Sequence, residues 1–449
     1  MELNEFVDLL FRKAKKEGFS EYEVYYVDRE SLSIGVYKSE VEKYNLNNSY
    51  GLSFRGKIGD KIGYSYTEIL DEAAIEMLVN KAKENVSILD NKDVQFIYGG
   101  DKEYTKVNTY SETLENISAE KLINIAMSME KEAKEYCDKV ENFNGCAVSY
   151  SNGKYGIINS KGLNLHNKSN LLTAYVVPVV KDKDKMYDGV GYVVANSLDE
   201  VDPKKIAIEG VNEALSKIGA TSIPSGNQKV IINNEAMVSL LSTFAGIFSA
   251  DAAQKGLSLL KDKEGEVISS DIVNLVDNPH LENGLASVSF DDEGVATKKT
   301  YLIKNGKLET LLHNLKTANK AGVKSTGNGF KSSYASPISV SPTNFYIEAG
   351  KKDFNELLSI VKEGIIITDF AGLHSGANAI SGEFSLAAKG FNIENGKKTS
   401  PIEQITVAGN FFNLLKNIEE IGSDLKFPMS SVGSPSLIVK ELSIAGDGK

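Results

Sequence analysis

The feature of this 449-residue sequence that most constrains its fold is a periodic spacing of apolar residues across positions 237–248. They recur every three or four residues, as on one face of a helix. The apolar run 230–232 just before them indicates a buried strand, and we expect Asn234 to cap the helix at its amino end. Taken alone, the pattern predicts a strand followed by a core helix and a polar loop through 251–256.

A fixed frame of small and apolar residues surrounds this helix. Its members are Leu240-Leu241, Gly246-Ile247 and Lys255-Gly256-x-Ser258. This frame resembles the TldD/PmbA family of metalloprotease-related proteins. The resemblance implies a catalytic metal in the TldD branch, where HExxxH follows the leucine pair and a distant cysteine completes the ligand set.

Matching the chain to that motif places Ser242 and Thr243 at the His-Glu pair and Ile247 at the second histidine. The cysteine position falls near Ile421. A zinc ligand needs an imidazole, thiolate or carboxylate, and a general base needs a group that titrates near neutral pH. The sequence therefore resembles the PmbA/TldE branch. We expect no catalytic residue and no metal ligand in this chain, with zinc held by a TldD-type partner.

The spacing of the family motif has a geometric consequence. Two side chains five residues apart point about 140° apart on a regular helix, so a metal site there needs a distorted turn. Gly246 stands just before the second ligand position. We expect the chain to keep the distorted turn as a packing feature without the metal.

Three carboxylates follow one another in residues 290–294, Phe-Asp-Asp-Glu-Gly. They could bind a metal or the amino group of a peptide, and Asp291 and Glu293 are the candidate substrate-binding residues. The alternative is a solvated turn, which the absence of a nearby histidine favours. The F-D-x-E-G pattern is one of the signatures in the family resemblance.

The stretch 371–385 is rich in glycine, serine and other small residues, which permit close approach of another backbone. A peptide could add along such an edge by main-chain hydrogen bonds. His374, Ser375 and Gly376 are therefore candidate substrate-binding residues. A stand-alone hydrolase using His374 and Ser375 is disfavoured, because adjacent residues rarely face each other and no GxSxG elbow is present. The run 376–396 resembles the family's glycine-rich signature.

Composition excludes several classes of function. A net charge of −11 argues against direct contact with nucleic acid. The sequence contains no apolar run of about 20 residues, so we expect no membrane span. The two cysteines, Cys137 and Cys146, are too few for a disulfide framework. With no signal peptide recognisable at the start, we expect a cytoplasmic protein.

The element pattern predicts an α+β fold in two parts. Residues 1–220 form an N-terminal domain of two loosely similar units, 1–90 and 118–220, each a helix, an antiparallel sheet and a helix. The Tyr-rich segment 90–117 is predicted to be a linker or a mobile loop. Residues 221–449 form a sheet-rich α+β domain that corresponds to the metalloprotease-like domain.

Local signals within the second domain are specific. The polar run 221–227 marks the domain boundary. Asn305-Gly306 and Asn395-Gly396 predict two type I′ hairpins. Apolar periodicity predicts helices over 354–362 and 411–421.

The family resemblance implies a function. It implies a subunit that completes a chamber with a TldD-type paralogue, in which unfolded peptides are degraded. The alternative is a homodimer without proteolytic activity that binds peptides or modulates gyrase.

Overall fold

A computed structural model describes residues 1–88 and 94–447 and confirms the α+β class. In the N-terminal part the helices are α1 (Leu3–Lys16), α2 (Glu72–Ile88), α3 (Ala119–Tyr136) and α4 (Pro203–Ser216). The strands are β1 (Glu21–Tyr37), β2 (Glu40–Ile58), β3 (Lys61–Thr67), β4 (Val140–Asn159), β5 (Asn164–Asp182), β6 (Lys185–Asp188) and β7 (Gly191–Ala195). The second unit repeats the order helix, strands, helix.

The two N-terminal units share one antiparallel sheet. Its order is β3-β2-β1-β4-β5-β6, with β7 also paired to β5. Alternate residues of a strand point to opposite faces of the sheet. All four helices pack against the same face. Val24 and Leu52 pack with α1 and α2, while Ile34 and Val148 pack with α3 and α4. The strands β1, β2, β4 and β5 are long, with 17, 19, 20 and 19 residues.

The opposite face of this sheet carries the second domain. Tyr25, Ile157 and Leu163 form a small apolar cluster there with Phe290. The segment joining the two units also reaches across: Tyr104 donates its hydroxyl to the Gly294 carbonyl over 2.8 Å. Residues 94–117 are therefore a linker anchored to the second domain, whereas 90–93 of the predicted loop lie outside the described residues.

The second domain holds the remaining elements. Its helices are α5 (Asn234–Phe244), α6 (Ala250–Gln254), α7 (Leu315–Ala321), α8 (Phe354–Val361), α9 (Leu373–Gly376) and α10 (Phe411–Lys416). Its strands are β8 (Pro224–Ile232), β9 (Leu275–Asp277), β10 (Thr300–Lys304), β11 (Lys307–Leu308), β12 (Gly329–Phe330), β13 (Ser339–Val340), β14 (Phe345–Ile347), β15 (Gly364–Ala371), β16 (Glu383–Glu394), β17 (Lys397–Asn410), β18 (Ile418–Ile421), β19 (Val432–Gly433) and β20 (Leu437–Asp447). Short 3₁₀ helices span Glu112–Leu114, Leu198–Glu200 and Ala245–Phe248.

The principal sheet of this domain curls back on itself. Its order is β17-β16-β15-β8-β20-β18, and β17 also pairs with β20. Helix α5 packs against it within the largest apolar cluster of the domain. Both predicted hairpins are confirmed. The backbone angle φ is positive at Asn305, Gly306, Asn395 and Gly396, as a type I′ turn requires.

Two details of the prediction are wrong. The helix predicted over 411–421 ends at Lys416, because residues 418–421 form β18 and pair with β20. The helix cap is Asn233, whose side chain accepts from the Ala236 amide. Asn234 instead donates to the Asp424 carbonyl over 3.0 Å. The polar run 221–227 lies between the two parts of the chain, and β8 begins within it, at Pro224. Among the described residues, no helix is long and apolar enough to cross a membrane.

Candidate functional site

Helix α5 changes geometry at the position of the family motif. The α-helix ends at Phe244, and a 3₁₀ turn covers Ala245–Phe248 before α6 begins. The expected distorted turn is therefore present. Phe244 anchors it by stacking on Phe411, with ring centroids 4.5 Å apart. The turn is held by packing between aromatic rings.

The four degenerate motif positions do not form a zinc site. Ile247 and Ile421 are buried side chains of the same apolar cluster. Thr243 turns its hydroxyl back to the Ser239 carbonyl at 2.9 Å, and Ser242 is exposed to solvent. Within residues 1–88 and 94–447, no group of three or more His, Cys, Asp or Glu side chains is placed to hold a metal. Zinc does not fit the donors present here, because alkyl groups offer no lone pair and neutral hydroxyl groups are not among the usual protein ligands of zinc.

The stretch 371–385 lies beside α5. Leu373 in α9 packs on the apolar cluster, while His374 and Ser375 are exposed. The Ser375 hydroxyl donates to the Gly372 carbonyl over 3.3 Å. No hydrogen bond joins His374 to Ser375 in the described structure, so the pair is not arranged as a base and nucleophile.

The close backbone approach predicted for this stretch is made by the protein itself. A Cβ atom at Gly376 would lie 2.4 Å from the Ser385 carbonyl oxygen, so only glycine fits. The Asn378 amide donates to the Glu383 carbonyl over 2.8 Å. The edge predicted to accept a peptide is therefore partly occupied by the protein's own chain. An open groove of about 800 Å³ remains, lined by Ser375, Gly376, Ile380, Glu383, Ser385 and Gly409.

The carboxylates of residues 291–293 are buried, which corrects the expectation of a solvated turn. Asp291 is a structural acceptor: one oxygen accepts from the Glu293 and Val295 amides at 3.0 Å, the other from the Gly329 amide at 2.9 Å. Glu293 accepts from the Leu315 amide at 2.7 Å. The substrate-binding role of Asp291 and Glu293, and of His374, Ser375 and Gly376, stays a prediction.

A buried ion pair on the N-terminal sheet faces these carboxylates. Glu23 on β1 lies directly opposite Arg55 on β2. The guanidinium donates from Nε and Nη2 to one Glu23 oxygen, at 3.0 and 2.5 Å. The other oxygen accepts from Asn159 on β4 at 3.2 Å. Sequence reasoning missed this pair, although the neighbours Val24 and Phe54 mark the core face and place Glu23 and Arg55 on the opposite one.

Lys331 completes the junction between the domains. Its backbone amide donates to Asp292 over 2.8 Å, and its ammonium donates to the Ser53 hydroxyl over 2.8 Å. The ammonium lies 4.8 Å from the centre of the Tyr25 ring and 5.0 Å from that of Tyr64. The second domain thus inserts a lysine against aromatic rings on the N-terminal sheet.

Burial shifts the titration of this cluster. Loss of solvation raises the pKa of Glu293 to about 7 and that of Asp292 to about 6. Loss of solvation, and then repulsion from Arg55, lower the pKa of Lys331 to about 7. These groups are therefore close to changing protonation near neutral pH, as is common in binding and catalytic sites.

A cavity of about 620 Å³ opens beside this cluster, and we call it the junction cavity. Arg55 and Tyr64 line it from the N-terminal sheet, and Glu293, Asn314 and Lys331 from the second domain. Its size is that of a small-molecule or peptide-end site, and its walls combine apolar and charged groups. The arrangement is suited to binding a ligand.

Together, the fold and these sites define a class: a two-part α+β protein with the framework of a metallopeptidase whose ligand positions are apolar or hydroxylic. Comparison with known families agrees. PmbA/TldA metallopeptidase domain 1 matches residues 22–86, the central domain matches 112–218 and the C-terminal domain matches 225–446.

Individual relatives extend over nearly the whole chain. A Thermotoga maritima structure described as a modulator of a DNA gyrase is 32% identical, with a TM-score of 0.92 over 99% of this chain and 100% of that one. TldE from Thermococcus kodakarensis has the same fold at 22% identity, with a TM-score of 0.89 over 98% and 100%. A Buchnera aphidicola metalloprotease PmbA homologue is 27% identical, covering 97% and 95%. The chain belongs to the PmbA/TldD family.

Proposed function

We propose that this protein is a TldE-type subunit that works with a zinc-holding TldD-type partner to degrade unfolded peptides in the cytoplasm. One observation carries the proposal. The 3₁₀ turn at the motif position is present, while the positions of the ligands and of the general base are filled by Ile247, Ile421 and two hydroxyl side chains. Such a site supports a role in shape and not in metal chemistry.

The groove beside α5 supports the same role. It runs next to the degenerate motif and exposes Ser385 and Ser375. Alternate side chains of β16 point outward, so Ser385 and Ala387 lie on the same exposed face. In the proposal the part of this face that lines the groove, with Ser385, forms a wall of the chamber shared with the partner.

Reconstitution tests the proposal. We expect no cleavage of an unfolded polypeptide by this chain with zinc, and cleavage when a TldD-type partner is added. Replacing the glutamate of the partner's HExxxH by glutamine should abolish cleavage. Zinc-dependent cleavage by this chain alone would contradict the proposal.

A matched pair of variants tests the groove. Ser385→Trp should raise the KM of the reconstituted pair several-fold by narrowing the groove. Ala387→Trp, two residues along the same exposed face but outside the groove lining, is the control. Equal KM values for the two variants would argue against a role of the groove in binding the peptide.

A further inference from the structure

The junction cavity is cationic within an acidic protein. Its charged lining residues in the described structure are Arg55, Lys81, Lys316, Lys331 and the single acid Glu293. The whole chain carries a net charge of −11, so this excess of cations is local. A concave site lined by one sign of charge attracts the opposite sign.

Lys331 has N–H donors available for a ligand. Its ammonium has three N–H donors, of which one is used, toward the Ser53 hydroxyl. No described carboxylate lies within salt-bridge distance of it. In contrast, Lys316 already lies 3.6 Å from Asp251. Two donors of Lys331 are therefore left for a ligand.

Arg55 adds a second donor group at the same wall. Its Nε and Nη2 both donate to Glu23, which fixes the plane of the guanidinium. No described residue accepts a hydrogen bond from Nη1, and Arg55 lines the cavity. A guanidinium held in place by a buried carboxylate is pre-organised to bind an anion.

The rest of the cavity wall is largely apolar and aromatic. These residues are Ile62, Tyr64, Tyr66, Phe96, Pro337 and Ile338. A phosphate-like ligand would gain nothing from them. A ligand that carries an anionic group next to an apolar group would use both parts of the wall.

We propose that the junction cavity binds the C-terminal carboxylate of an unfolded peptide between Arg55 and Lys331, with the last side chain among the aromatic residues. The inference rests on the proposed function, because it takes the substrate to be a peptide. A free carboxylic acid with an apolar tail has the same chemistry. An arriving carboxylate would also favour the charged form of Lys331, which Arg55, Glu23, Asp292 and Glu293 face.

Calorimetry with the full chain tests the cavity directly. The probes are acetyl-Ala-Ala-Leu as the free acid and as the C-terminal amide. We expect the acid to bind at least tenfold more tightly than the amide. Lys331→Met should lower the affinity for the acid at least tenfold and leave the affinity for the amide unchanged. Exposed Lys204→Met, on α4, is the control and should change neither.

Lys331→Met is the appropriate variant because it leaves no buried acid without a salt-bridge partner. Substituting Arg55 would leave Glu23 unpaired and would confound binding with unfolding. Thermal denaturation of Lys331→Met checks that the fold is kept. Equal binding of acid and amide, no binding of either, or unchanged binding by Lys331→Met would overturn the inference.

Two further measurements separate the possible outcomes. Acetyl-leucine that bound as tightly as the tripeptide acid would support the carboxylate site and identify free acids as its source. Cleavage by the reconstituted pair is measured separately. Cleavage without any preference for the acid in binding would overturn the cavity inference alone. A preference for the acid without cleavage would overturn the proposed subunit role alone.

Discussion

The turn after α5 is packed with apolar side chains, whereas the junction between the domains buries charged ones. In the turn, Ile247 packs in an apolar cluster at a position where the TldD branch carries a metal ligand. At the junction, Glu23, Arg55 and Glu293 are all buried. Replacing a buried ion pair with apolar residues is often neutral or stabilising, so stability alone does not explain the junction.

This contrast indicates where each region contributes. Packing accounts for the turn without any ligand, since its aromatic and aliphatic neighbours fill the space. The junction retains charged groups at a cost in solvation and places them beside a cavity. We therefore assign a structural role to the turn after α5 and a ligand-binding role to the junction.

The largest expected effect comes from breaking the junction pair. Arg55→Ala would leave Glu23 buried without its cation and should lower the free energy of unfolding by about 3–5 kcal/mol. Urea denaturation measures the change. Arg12→Ala on the exposed side of α1 is the control, with an expected change below about 0.5 kcal/mol. A double variant, Glu23→Gln with Arg55→Met, should recover much of the loss. No recovery would mean that the orphaned charge is not the cause.

Truncating the apolar side chains at the ligand positions sharpens the other half of the comparison. Ile247→Ala and Ile421→Ala should each lower the free energy of unfolding by about 3 kcal/mol, because each leaves a cavity in a packed core. Ile360→Ala, at a side chain 38% exposed, should cost roughly 1 kcal/mol or less. Urea denaturation measures the loss of unfolding free energy in each variant. Losses of the same size at all three sites would show that the turn is not tightly packed.

The pH dependence of stability tests the burial of Glu293. Its pKa is raised in the folded state to about 7, so the folded protein binds the proton more tightly than the unfolded chain. The stabilisation from that proton is present at low pH and is lost as pH rises through about 7. Glu293→Gln should match the natural protein near pH 5 and exceed it at pH 8 by on the order of 2 kcal/mol. An equal difference at both pH values would contradict the burial.

Other groups contribute to the same profile. Asp292 and Asp277, whose pKa values burial raises to about 6, act in the same direction as Glu293. The lowered pKa of Lys331 acts in the opposite direction, since that stabilisation is lost as pH falls through about 7. The comparison with Glu293→Gln isolates one group because the others remain in both proteins.

The smallest effects are expected at the hydroxyl positions. Ser242→Ala and Thr243→Ala should change the free energy of unfolding by less than about 0.5 kcal/mol, since alanine is a better helix former and the lost contacts are local. Neither variant should change the amount of zinc that the protein contains after dialysis against zinc. A loss of bound zinc in either variant would show that these hydroxyls take part in a metal site.

Local signals predicted much of the fold. The Asn-Gly pairs specified two hairpins, and the apolar periodicity over 354–362 specified α8. The end of α10 could not be predicted in the same way. Residues 418–421 continue the apolar spacing of a helix, but pairing with β20 satisfies their backbone as a strand. Tertiary contacts decided between two locally acceptable structures.

The junction site was beyond local reasoning for a different reason. Glu23, Arg55, Glu293 and Lys331 come from four separated segments, and each alone has the composition of a surface position. The carboxylate run 291–293 is visible in the sequence, but the burial of its side chains depends on the sheet that covers them. The long alternation of β1 and β2 is the one signal that could have placed Glu23 and Arg55 on a common face.

The pairing of β1 with β4 limits where the protein can be truncated. These two strands lie in the middle of the sheet and exchange hydrogen bonds from Glu23 to Gly35. A shortened protein beginning at residue 118 would lack β1 and would leave one edge of β4, over residues 147–159, without a partner strand. Unpaired strands of that length recruit other chains, so such fragments should form insoluble deposits instead of a smaller folded protein.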